Sequence, residues 1–154
     1  MATIIYRNGD EAMLDEIREL WEALNQHHGH ISENFKSHYE NFPFESRKRN
    51  LLLKAKNGRL RIEMAVDQEN MKNVGYCISR IEFSGDAEME SLYVEENYRG
   101  LGIGELLLSN AINWMDEMGA HTKTVSVAVG NEKAFGFYQR FGFYPRKTQL
   151  EQIK

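Results

Sequence analysis

A chain of 154 residues is long enough to bury a substantial core and most simply forms one domain, spanning 1–154. With 42% hydrophobic and 27% charged residues it fits a folded globular protein, and its net charge of −4 disfavours a broad nucleic-acid surface. The lone cysteine, Cys77, rules out an intramolecular disulfide and fits a reducing compartment. No apolar run approaches the ~20 residues of a membrane span, and the N-terminus lacks the apolar core of a signal peptide. We therefore expect a cytoplasmic protein without membrane or nucleic-acid partners; a homodimer remains open.

Residues 3–6 are β-prone and end at Asn8 and Gly9. Asp10 suits a helix cap, and Met13, Ile17, Leu20, Trp21 and Leu24 then recur at helical spacing until about Gly29. Residues 32–39 read as a further helical turn, and Pro43 ends it. Residues 46–56 read as a basic-faced helix stopped at Asn57 and Gly58. Alternation of Leu60, Ile62, Met64 and Val66 predicts a half-buried strand over 60–66, followed by a polar connection. A second strand covers 74–83, a turn 84–86, and a third strand begins at Ala87 and runs through Leu92, Tyr93 and Val94. Ile103 to Met118 is a helix with one apolar face, ended by Gly119. Val125, Val127 and Val129 predict a strand, Asn131 opens a short helix bearing Ala134, Phe137, Tyr138 and Phe141, and Phe143 begins a last strand. The resulting order β-α-α-β-β-β-α-β-α-β predicts an α/β fold, a mixed sheet with helices packed on it and one right-handed crossover.

Residues 88–105 concentrate the chemistry. After the strand and the polar Glu95, Glu96 and Asn97 comes Arg99-Gly100-Leu101-Gly102-Ile103-Gly104-Glu105, opening a helix. Glycines there let an anion approach the backbone, and the free N–H groups and positive dipole end of the helix face it. The loop is suited to a phosphate or pyrophosphate, although glycines before a helix also serve a plain turn. A Walker loop is absent, and the spacing of Gly100, Gly102 and Gly104 misses the dinucleotide fingerprint.

The order Arg-x-x-Gly-x-Gly directly after Leu-Tyr-Val resembles the GCN5-related N-acetyltransferase superfamily. Asn131-Glu-Lys-Ala-Phe-Gly-Phe-Tyr138, followed by Phe141-Gly142-Phe143, matches its second signature. The resemblance covers roughly 87–144. It implies a mostly antiparallel sheet with a splayed strand pair, and acetyl-CoA as co-substrate with no metal. The pantetheine arm would lie along Leu92, Tyr93 and Val94, and the pyrophosphate over Arg99, Gly100, Leu101, Gly102, Ile103, Gly104 and Glu105. An amine on a small molecule or peptide would attack the thioester directly within a ternary complex. A non-catalytic CoA-binding module and a longer-chain acyltransferase are the alternatives.

The same resemblance gives roles to single residues. Tyr138 would protonate the departing thiolate, a phenol near pKa 10 being protonated at neutral pH; its other reading is a core tyrosine. Asn131 would contact the coenzyme or cap its helix. Glu90 would act as the base for the protonated amine, acting through water, with a solvated or ion-paired carboxylate as the alternative. Glu88 and Glu90 are two apart on the strand and so share a face, which Leu92 and Val94 should continue. His27, His28 and His30 do not complete a zinc set, and line the acceptor cleft more naturally, with Tyr39 and Phe42. The basic helix reads as a solvated face, or as a contact for the adenosine 3′-phosphate or an acidic partner. Cys77 reads as a small buried residue.

Overall fold

The computed structural model describes residues 2–154. Strand β1 (Ile4–Gly9) leads into a 3-10 segment (Glu11–Ile17) that continues as α1 (Arg18–Ile31). Asp10 caps this start as expected, its carboxylate accepting from the Ala12 N–H at 2.9 Å. Then come α2 (Lys36–Glu40) and α3 (Phe44–Ala55), which begins directly after Pro43. Strands β2 (Gly58–Asp67), β3 (Lys72–Glu82) and β4 (Asp86–Val94) follow, then α4 (Ile103–Glu117), β5 (Thr122–Val125) and α5 (Phe135–Gln139).

The five strands lie in chain order, antiparallel except for β4 and β5, which are parallel and joined by α4. The sheet separates two cores. On one face Leu60, Ile62 and Met64 of β2, with Tyr76 and Ile78 of β3, meet Leu14, Ile17 and Trp21 of the first helix and Phe44 and Leu51 of α3. On the other face Val74, Cys77, Ala87 and Met89 meet Ile103, Leu107, Leu108, Ala111 and Met115 of α4, with Phe137 and Tyr138 packed alongside. The period-2 alternation of β2 and the helical stripe of α4 thus each turn an apolar face to a helix or sheet partner.

Two expected elements change. The strand anticipated over 125–129 is instead β5 at Thr122–Val125, and no strand follows Phe143 among the described residues. The first change originates in β4. Ile78 pairs with Ser91 and Ser79 with Met89, which leaves Glu90 as the extra residue of a β-bulge. Pairing between β4 and β5 covers only Asp86 to Met89 and stops at that bulge. Val127 and Val129, beyond it, have no ladder to join.

The bulge also corrects the expected side-chain parity. Glu88 and Glu90 do lie on one side, both bonded to Arg80. Leu92 and Val94 do not continue that face: they pack with the α4 core, while Ser91 bonds to Tyr76 and Tyr93 packs on the opposite core. One inserted residue reverses the alternation for everything after it.

Candidate active site

Beyond the bulge, β4 keeps β3 on one side and has an open edge on the other. The Glu95 N–H donates to the Val74 carbonyl at 2.8 Å, and Val94 lies opposite Gly75. Antiparallel alternation then turns the main-chain groups of Leu92 and Val94 away from β3, into the gap that β5 has left. The Val94 carbonyl receives the Arg99 Nε at 2.9 Å, and the Arg99 guanidinium lies 5.6 Å from the Tyr93 ring centre. Arg99 therefore ties the strand end to the loop that follows. Tyr98 adds a second tie, its hydroxyl donating to Asp67 at 2.7 Å.

The loop has the free donors that its sequence led us to expect. Gly100 and Gly102 both hold φ of +82°, in the left-handed region. A Cβ on Gly100 would meet nothing within 4 Å, so there the glycine serves conformation and not space. The N–H groups of residues 100–105 find no protein acceptor among the described residues; the first donor to return is Leu106, bonded to the Gly102 carbonyl at 3.1 Å. The buried Ile103 anchors this turn in the core, and Glu105 pairs with Arg140 at 3.0 Å. Gly104 faces Phe137, whose Cζ lies 3.6 Å from the position a Cβ would take, an ordinary van der Waals contact. Unpaired amides at a helix N-terminus form an anion cradle.

Tyr138 follows Phe137 on α5, the two rings meeting edge to face with centres 5.2 Å apart. It packs against the α4 core, and burial, then the nearby Cys77, push its phenol well above the ordinary value. The hydroxyl is thus a proton donor at any physiological pH. Asn131 begins the 3-10 turn before α5, and its side chain makes no cap there, leaving the amide free to face a ligand. Cys77 is fully buried, and burial pushes its thiol up to about 12, so it is inert as a nucleophile.

Glu90 has a different environment from the one its expected role requires. Its carboxylate, only 2% exposed, accepts from Arg80 Nε at 2.7 Å, Lys54 Nζ at 3.1 Å and Arg47 Nη2 at 3.1 Å. Burial raises its pKa, but the Arg80 bond and the charges of Lys54 and Arg47 outweigh that and hold it below the usual carboxylate range. A carboxylate so neutralised has little proton affinity and no open approach, so the environment does not suit a general base. It suits an ion-paired anchor.

The sequence model of the acetyltransferase (GNAT) family matches residues 14–143. The chain belongs to that family. Similar relatives include an uncharacterised N-acetyltransferase of Methanocaldococcus jannaschii, 36% identical over 89 residues, which are 54% of this chain and 39% of that protein. A putative ribosomal protein bS18-alanine N-acetyltransferase of Bacillus subtilis is 34% identical over 71 residues, 46% of each chain. The matches thus span less than half the length of these relatives. Among solved structures, a GCN5-related N-acetyltransferase from Ralstonia eutropha superposes with a TM-score of 0.75 at 17% identity, covering 98% of this chain and 99% of that one. The PaiA N-acetyltransferase of Thermoplasma acidophilum, in complex with coenzyme A, gives 0.70 at 21% identity, covering 96% and 93%. At such identities these two show a shared GNAT fold.

In this GNAT chain the residues that sequence reasoning missed are Arg47, Lys54 and Arg80. The α3 helix read as a solvated basic face, yet Arg47 and Lys54 point at Glu90. Their spacing of seven places them on one helical face, close to Phe44 and Leu51, which are buried; that was the available signal. Trp21, Tyr39 and Phe42 line one cavity of about 430 Å³ between α1 and α2, and Trp21 also belongs to the core, only 6% exposed. His28 packs beside Tyr39, with ring centres 5.7 Å apart and planes tilted by 42°, and its Nδ1 is buried without a partner among the described residues. Burial and the neighbouring His27 lower its pKa. His27 and His30 are exposed. No group of three metal-capable side chains occurs among the described residues, and no helix there is long and apolar enough to cross a membrane.

Proposed function

We propose that the protein is an N-acetyltransferase that moves an acetyl group from acetyl-CoA to a primary amine. The observation that carries this reading is the continuity of two free backbone surfaces. The gap-facing groups of Leu92 and the Val94 N–H, the Val94 carbonyl being taken by Arg99, run directly into the unpaired N–H groups of residues 100–105. An amide-bearing arm can pair with the first as a strand adds to a sheet edge, while a pyrophosphate rests on the second. Their order along the chain is the order of the pantetheine arm and diphosphate in CoA, which supports the reading.

In this reading the amine attacks the thioester carbonyl in a ternary complex. Holding both reactants supplies most of the rate. The Val94 N–H faces the gap and would polarise the carbonyl oxygen as negative charge develops there. The neutral amine attacks, its nitrogen then gives up one proton to solvent, and collapse of the tetrahedral intermediate expels the CoA thiolate, which takes the Tyr138 proton; Tyr138 is re-protonated from solvent. Asn131 would hold the arm near the thioester. Glu90 stays outside the proton path. The relatives' names point to protein-borne amines as acceptors, an alanine of ribosomal protein bS18 for the putative Bacillus subtilis enzyme and peptidyl lysine for the Escherichia coli YjaB protein. A peptide-borne amine is therefore the first acceptor class to try.

The test is release of CoA from acetyl-CoA with a panel of peptide α-amines, peptide lysines, polyamines and aminoglycosides. Turnover with any of them supports the reading. Tight acetyl-CoA binding without turnover on the whole panel would favour a CoA-binding module, and faster turnover with longer acyl donors would revise the donor.

A further inference from the structure

The bulge at Glu90 opens the gap beside β4, and something must keep it from relaxing into regular pairing with β5. Arg47, on α3 and far from the loop in sequence, touches it twice: Nη2 lies 3.1 Å from the Glu90 main-chain carbonyl and 3.1 Å from its carboxylate. The carbonyl of a bulged residue has lost its ladder partner, and a buried carbonyl needs one. The guanidinium supplies that partner and compensates the buried charge at once. Arg80 and Lys54 complete the neutralisation, but each reaches only the carboxylate. Arg47 is itself held, its side chain only 16% exposed and its Nη1 3.3 Å from Asn50.

We propose that Arg47 is a positioning residue which locks the β4 bulge open through the Glu90 carbonyl and carboxylate, so that the strand presents Leu92 and Val94 to the pantetheine arm of CoA. Glu90 is its counterpart, placed by the bulge to be gripped. The inference rests on the acetyl-CoA reading above and gives α3 a part in it. Its signature is selectivity within one ligand. Besides the Arg99 tie to Val94, the cradle at residues 100–105 is held independently of β4 by the Tyr98–Asp67 bond and the buried Ile103, so loss of Arg47 should weaken the hold on the arm far more than the hold on the diphosphate.

The experiment measures affinity of the full chain, by calorimetry well below its melting temperature, for acetyl-CoA and for 3′-phospho-ADP, the head of CoA without the arm. Arg47→Met keeps the stem and removes both bonds. It should weaken acetyl-CoA on the order of tenfold or more, the scale of one charge-assisted hydrogen bond, and leave the head within about twofold. Arg47→Lys keeps the charge, and so protects folding, but ends one atom short of Nη2; it should show the same selective loss at smaller size. Lys54→Met, which loses a carboxylate contact only, should change the ratio least. Equal losses of both ligands, or unchanged acetyl-CoA affinity in a folded Arg47 variant, would overturn the proposal. If the wild-type chain binds neither ligand, the acetyl-CoA reading itself fails instead.

Discussion

At Tyr138 the ring and the hydroxyl answer to different forces. The ring packs on the α4 core and on Phe137, whereas the hydroxyl has no bonded partner among the described residues. Tyr138→Phe should therefore leave stability within about 1 kcal/mol of wild type. If the hydroxyl protonates the thiolate, kcat should fall on the order of 10²–10⁴-fold with acetyl-CoA affinity little changed. Steady-state kinetics beside a binding isotherm checks both; wild-type kcat would return Tyr138 to the core. Glu90 offers a test by pH. Its folded pKa is depressed, so its contribution to stability is present above the unfolded value of about 4.3 and is lost as pH falls through the lower folded value. Glu90→Gln should melt below wild type at neutral pH, and the two curves should converge on acidification. Its rate defect should not depend on pH across the amine titration; a defect that shrinks toward the amine pKa would reinstate Glu90 as the base. The left-handed turn at Gly100 and Gly102 was readable because it is set by residues adjacent in sequence. For Glu90 the sequence left base and ion-paired carboxylate open, because Arg47, Lys54 and Arg80 reach it from two other elements.

Among elements, the loop before α4 was legible and the end of β4 was not. Gly100, Gly102 and Gly104 announce a backbone that must turn and stay bare, a local signal. A one-residue bulge depends on pairing partners and leaves no period to read, so Leu92 and Val94 were put on the wrong face and β5 was placed too far along. The φ of +82° at Gly102 now separates two reasons for glycine there. Gly102→Ala should cost about 1–2 kcal/mol through the left-handed backbone alone and weaken acetyl-CoA modestly. Gly102→Glu puts a Cβ 3.4 Å from a Glu105 carboxylate oxygen and adds a second negative charge at a helix end meant for an anion. It should lose acetyl-CoA binding far beyond the Ala variant at similar melting temperature. Equal affinity in the two variants, measured by calorimetry beside thermal melts, would show that charge at this turn is irrelevant.

Over the whole molecule the α/β order was readable because each helix and strand keeps its own apolar period, and the sheet simply follows the chain. What the chain could not announce was the division of its apolar residues into two cores, since alternation says that two faces exist and not what covers them. Saturating acetyl-CoA should stabilise this fold: ligand at 100 times its Kd contributes about 2.7 kcal/mol, at roughly 2–4 °C per kcal/mol for a chain of this size. NAD and ATP should shift the melt much less, and an unchanged melt with acetyl-CoA would count against cofactor binding. Helix α4 makes that stabilisation global, because its first turn forms the cradle while Leu107, Leu108, Ala111 and Met115 sit in the core. The consequence concerns how spent cofactor leaves. Unwinding α4 to release the diphosphate would expose the core, an opening about as costly as unfolding the domain. In the acetyl-CoA reading the diphosphate therefore leaves a cradle that stays folded, by breaking its own contacts to the amides and not by opening the helix.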